Sequence, residues 1–142
     1  MGQQQLLLVI LVTIIVGIAT VVAINTFGTQ ADSANRDAVR QDIVAAISNA
    51  RAFYQKPAMM GGGGKDFTST NGQAITIGDL NIPGVTGNSS PSNQNENGTY
   101  SISTTATTIT ITGSPSSGGS DLSATLDMSK DQSSSDFVTW SS

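Results

Sequence analysis

The chain contains no cysteine and no histidine. Without cysteine it has no disulfide framework, no thiolate metal site and no covalently attached haem. Without histidine it lacks the commonest general base and the commonest metal ligand. Basic residues are also scarce. Six Lys and Arg against ten Asp and Glu give a net charge of −4, which argues against a nucleic-acid-binding surface. An aromatic content of 5% leaves few platforms on which bases or sugars could stack. Charge of either sign is missing from the first 31 residues, and every acid and base lies in residues 32–142. At 142 residues the chain has room for one small domain.

The uncharged stretch contains a nearly solid run of Leu, Ile, Val and Ala over residues 6–24, interrupted only by Thr13, Gly17 and Thr20. As a helix, 19 such residues span about 28 Å, close to the hydrocarbon thickness of a bilayer. The threonines are tolerated there because a hydroxyl can bond a carbonyl one turn earlier. A transmembrane anchor is the simplest reading. A secretory signal peptide fits less well, because residues 1–5 carry no basic charge.

The helical pattern continues beyond the run. Ala31, Ala34, Ala38, Val39, Ile43, Ala46, Ile47, Ala50, Phe53 and Tyr54 recur at the three- and four-residue spacing of one helix face. Asp32–Arg36 and Asp37–Arg40 are attractive pairs on the other side. Lys56-Pro57 stops the pattern, and residues 61–64, four consecutive glycines, read as a flexible linker. The first 55 residues therefore predict one long helix, apolar all round in its first half and amphipathic in its second, with Gly17 and residues 25–28 as its weak points.

From Asp66 onward the period shortens to two. Candidate strands are residues 74–80, 99–104, 107–112, 122–128 and 137–140, with a hairpin turn near Thr105-Ala106. Residues 84–98 and 113–120 are dense in Gly, Ser, Asn and Pro and read as loops. Ser and Thr make up 36 of the 142 residues, so the outer face of the sheet is hydroxyl-rich. Such a sheet has little to bury by itself, and Val39, Ile43, Ile47, Ala50 and Tyr54 of the helix are its natural cover. The expected architecture is α+β, a long helix spine packed on a four- or five-stranded antiparallel sheet. Residues 1–30 form the hydrophobic helix, 31–56 its amphipathic continuation and 57–142 the polar head.

An uncharged N-terminal helix running into an amphipathic half and then a small polar sheet domain resembles a type IV pilin. Taken from Met1 as a processed N-terminus, the register matches over residues 1–55: Met1 at the start, Gln5 where the family carries glutamate, then the apolar run. Gln5 keeps the shape and an acceptor oxygen of that glutamate without its charge. The resemblance implies a major structural subunit of an extracellular helical filament, a homopolymer on the cell surface. Its polymerisation core would comprise Met1, Gln5, Leu6, Val9, Ile10, Thr13, Ile14, Gly17, Val21 and Ile24. It further implies residence in the cytoplasmic membrane before assembly, a leader removed by a prepilin peptidase, a methylated Met1 and a pilus assembly machinery. Bacterial and archaeal sources both stay open, as do adhesion, motility, DNA uptake and biofilm formation as roles. The alternatives are a pseudopilin or minor pilin of a secretion system, and a single-pass anchored binding domain that never polymerises.

No constellation of residues points to an enzyme or a cofactor. Lys65-Asp66 and Lys130-Asp131 read as solvated loop charges. Asp121, Asp127, Asp131 and Asp136 are too loosely spaced for a calcium loop. The four glycines lack the Lys-Ser/Thr of a phosphate loop. Asn88-Ser89-Ser90 and Asn97-Gly98-Thr99 fit the glycosylation triplet, so Asn88 and Asn97 are candidate modification sites. Such triplets are common by chance in a loop rich in Asn, Ser and Thr, and the ordinary reading of both is a polar loop position.

Overall fold

The computed structural model describes residues 2–87 and 92–142. It consists of one long helix and a five-stranded antiparallel sheet, an α+β fold. Helix α1 runs from Gly2 to Gln55 without interruption at Gly17 or at residues 25–28. The strands are β1 (Ser92–Gln94), β2 (Gly98–Thr104), β3 (Thr108–Pro115), β4 (Leu122–Asp127) and β5 (Val138–Ser141), paired in sequence order. The chain divides into two compact units, Met1–Ala34 and Asn35–Ser142. The first is helix alone. The second holds the end of α1, the sheet and every residue of the buried core.

Strict alternation builds the sheet. In β3, Ile109, Ile111 and Gly113 are buried while Thr108, Thr110, Thr112 and Ser114 are half-buried on the opposite face. Register brings the hydroxyl residues into rows. Ser92, Ser101, Thr112, Ser123 and Ser141 lie side by side across all five strands. Thr110 and Thr125 share a hydroxyl hydrogen bond of 2.8 Å. Thr105 closes the β2–β3 hairpin, its N–H donating to the Thr108 carbonyl, where the sequence placed the turn.

The inner face is covered by Val39, Ile43, Ala46, Ala50 and Phe53 of α1, at alternating spacings of four and three. Ile47 and Tyr54, expected in the same role, are only partly buried at its margin. The helix comes close to the sheet at Gly113, where an added Cβ would lie 2.6 Å from Val39 Cγ1 and 3.2 Å from both Ile43 Cδ1 and Tyr100 Cε1.

Three expectations are corrected. Residues 74–80 form no strand, although Ile75, Ile77 and Leu80 are buried. Asp79 Oδ2 accepts hydrogen bonds from the Thr76 N–H and hydroxyl, at 2.8 and 2.7 Å, and the Asp79 N–H returns to the Thr76 carbonyl. That local closure folds the backbone into a turn before it can join a ladder. The loop expected over residues 84–98 contains β1, a short edge strand of Ser, Asn and Gln with no apolar alternation to reveal it. Residues 61–64 are not a flexible linker but the cap of α1. The Gly63 and Lys65 N–H groups donate to the Phe53 and Tyr54 carbonyls, and Gly64 N–H donates to that of Lys56. A Cβ on Gly62 or Gly63 would fall on the backbone of Lys56 or Asp66.

Gly113→Val is expected to lift the helix from the sheet and destabilise the protein by about 1–3 kcal/mol, the usual range for overpacking. Denaturant unfolding of the detergent-solubilised full chain measures it, and an unchanged midpoint would contradict the close approach.

Candidate assembly surface

The first unit presents its apolar residues to the surroundings on every side. Leu6 is 64% exposed and Ile24 66%, and Val9, Ile10, Ile14 and Val21 fall close to these values. Thr13, Gly17 and Gln5 are likewise exposed, and an added Cβ at Gly17 or Gly28 would meet no heavy atom within 4 Å beyond the adjacent residues and backbone of the helix itself. Met1 and Asn88 lie outside the described residues. The residues singled out from the sequence make one stripe of the helix. Leu7, Leu8, Leu11, Val12, Ile15, Val16, Ile18 and Val22 are equally bare on the others, so the apolar surface is a full cylinder.

The cylinder is chemically uniform as well. The hydroxyls of Thr13, Thr20, Thr26 and Thr29 donate to the carbonyls of Val9, Val16, Val22 and Asn25, at 2.7 to 3.0 Å. Each threonine therefore turns its polar group inward and leaves its methyl outside. Residues 2–55 form a helix long and apolar enough to cross a membrane.

The buried core of the second unit uses none of this surface and lies wholly within residues 35–142. Its organising polar feature is Asp42, buried on α1. Asp42 Oδ2 accepts from the Tyr100 hydroxyl at 2.5 Å, from Asn97 Nδ2 at 2.8 Å and from Asn95 Nδ2 at 3.0 Å. Burial, then the hydrogen bond to Asp42 and that carboxylate's charge, push the Tyr100 phenol above its ordinary value. Nothing in the residue pattern marks this node, since an acid on an amphipathic helix ordinarily faces water. Asn97, a candidate glycosylation site, is half-buried with its amide nitrogen engaged on Asp42, so a glycan there would have to displace a core contact.

Among the described residues, no three His, Cys, Asp or Glu side chains gather as a metal site. Asp127 and Asp131 each accept from the backbone two residues on, Ser129 and Ser133, and cap their own turns. Hydrogen bonds from the Ser129 hydroxyl and N–H hold the Asp127 carboxyl below its usual range.

Comparison with protein-family models, with curated proteins and with solved structures finds no match for this chain. What the fold and the surface establish is a small α+β protein with an apolar N-terminal helix able to enter a membrane.

Asp42→Leu should strand the Tyr100 hydroxyl and two amides and destabilise the second unit by about 2–4 kcal/mol, with Asp42→Asn intermediate. The raised Tyr100 pKa has a defined sign. The unfolded chain ionises Tyr near pH 10 while the folded form stays protonated, so stability is full below about pH 10 and falls above it. Melting curves between pH 8 and pH 11 should show that decline in the native chain and a shallower one in Tyr100→Phe.

Proposed function

We propose that this chain is the major structural subunit of an extracellular type IV pilus-like filament, polymerising through its apolar N-terminal helix. The observation that carries the reading is the bare apolar cylinder over residues 6–24, continuous in one helix with a head whose buried core draws on none of it. Nineteen uncovered residues of this kind require either lipid or protein around them.

In the proposed mechanism the cylinder first rests in the cytoplasmic membrane. On extraction, the same surface is covered by the helices of identical neighbours. A head-to-tail contact that does not close on itself generates an open helical polymer, with polar heads outermost. Gln3, Gln4 and Gln5 then reach a dry subunit boundary, where an amide without a partner is costly. Gln5 offers its acceptor oxygen to the N-terminal backbone of a neighbour. Adhesion and other cell-surface roles of such a filament would be carried by the hydroxyl-rich outer sheet face. Neither catalysis nor a cofactor enters this role.

Electron microscopy of cell-surface shear fractions, and of the purified full chain after detergent removal, tests the reading. Long homopolymers are expected. A chain that stays a detergent-soluble monomer and never appears in shear fractions is instead a single-pass anchored domain. Short capped assemblies would indicate a minor or secretion-type subunit. Gln5→Leu is expected to lower filament yield severalfold, and normal yield would remove Gln5 from the subunit contact.

A further inference from the structure

Two stripes of α1 flank the one buried against the sheet, and they meet different surroundings. On one flank Asn35, Asp42 and Asn49 recur every seven residues, and each is tied into the head's loops. Asn35 Nδ2 donates to the Asn97 carbonyl at 2.9 Å, Asn49 Nδ2 donates to the Leu80 carbonyl at 2.7 Å, and Asp42 holds Asn95, Asn97 and Tyr100. Asn95 Nδ2 also donates to the Pro83 carbonyl, stitching two loops together. This flank is closed.

On the other flank Arg40, Val44, Ile47 and Arg51 follow at spacings of four, three and four, beside the β5 edge. Arg51 is fixed there, its guanidinium 5.6 Å over the Phe137 ring and bonded to Gln132. The Arg40 end is open. Arg40, Leu122, Trp140, Ser141 and Ser142 line a depression of about 360 Å³, and Arg40 also borders a second one of about 390 Å³ with Asp37, Gln41 and Val44. Val44 is 51% exposed and Trp140 43%. The adjoining edge strand β5 carries neither charge nor proline, the devices that usually discourage contact at a sheet edge.

Charge distinguishes the two flanks. The loops of the closed flank bear two exposed acids, Asp79 and Glu96, which form no ion pair among the described residues. Among the described residues Arg40 at the open flank pairs only with Asp37, 3.6 Å away, and both side chains are more than half exposed. So open a pair leaves the guanidinium free to take a better partner.

We propose that the two depressions that share Arg40, one bordered by Trp140 and the other by Val44, receive the Asp79 and Glu96 loops of a second copy of this chain. The inference rests on the filament reading and adds to it a contact between heads. Trp140 and Val44 supply the apolar anchor and Arg40 the charge that pairs with Glu96, the combination on which protein interfaces concentrate their energy. The two surfaces differ, so the contact is heterologous and leaves a free depression and a free acidic loop at the ends of every chain of copies.

The test is a charge reversal in the full chain, read as filament yield in shear fractions relative to subunit in the membrane. Arg40→Glu and Glu96→Lys should each reduce yield about tenfold, because like charges then face one another. The combined variant should recover most of it. Val44→Lys, at an exposed position outside the core, is a second probe and should also reduce yield. Melting of the solubilised monomers, expected to be unchanged, separates loss of contact from loss of folding. Filaments indifferent to Arg40→Glu and Val44→Lys, or a combined variant no better than the single ones, would overturn this contact alone. Absence of filaments from the unmodified chain would overturn the filament reading and this contact with it.

Discussion

The seat of α1 on Gly113 is the contact on which the head depends. The sheet's inner face is thin: Ile109, Ile111, Leu122, Ala124, Leu126 and Tyr100 carry most of it, and one side of each would meet water if the helix were absent. A side chain at position 113 would hold the helix away. Its lack lets Val39 and Ile43 reach the strands and shield their neighbours. With no disulfide to restrain the unfolded chain, this packing and the polar tie at Asp42 are what hold residues 35–142 together. The glycine cap at residues 61–64 then turns the chain sharply enough to bring Phe67 beside Tyr54, with ring centroids 4.9 Å apart.

The chain carries two apolar surfaces with opposite fates. The stripe from Val39 to Phe53 is consumed inside the head, and the cylinder over residues 6–24 is not. Both lie on the same helix, and the sequence distinguishes them by the charged and amide residues that interrupt one and not the other. Where Asp, Arg and Asn interrupt the apolar residues, only one face is left to bury. Where nothing interrupts them, no face is preferred. An intramolecular partner can cover a stripe, but a cylinder needs an environment that surrounds it.

Much of this was legible beforehand, because it depends on period. The continuous helix followed from spacing through Tyr54, and strands β2, β3 and β4 from alternation such as that of Thr108 to Thr112. What period does not encode was missed. Ile75 and Ile77 alternate like strand residues, yet the Thr76–Asp79 hydrogen bonds decide the backbone. Four consecutive glycines look flexible in a sequence, whereas here Gly62 and Gly63 are demanded by near contact with other backbone. Asp42 was not singled out, because its partners Asn95, Asn97 and Tyr100 lie more than 50 residues away. The apolar cylinder was visible from the start, but what surrounds it is a property of other molecules.

The inward-turned threonine hydroxyls carry a thermodynamic consequence. Because Thr13 and Thr20 already satisfy themselves on their own helix, moving the cylinder from one apolar environment to another makes and breaks no side-chain hydrogen bond within it. The exchange reduces to a trade of dispersion contacts of similar density on either side. A transfer of that kind is nearly balanced and can run in both directions. For residues 6–24 the two environments are then close to equivalent, and a preference for one over the other has to come from parts of the chain outside that stretch.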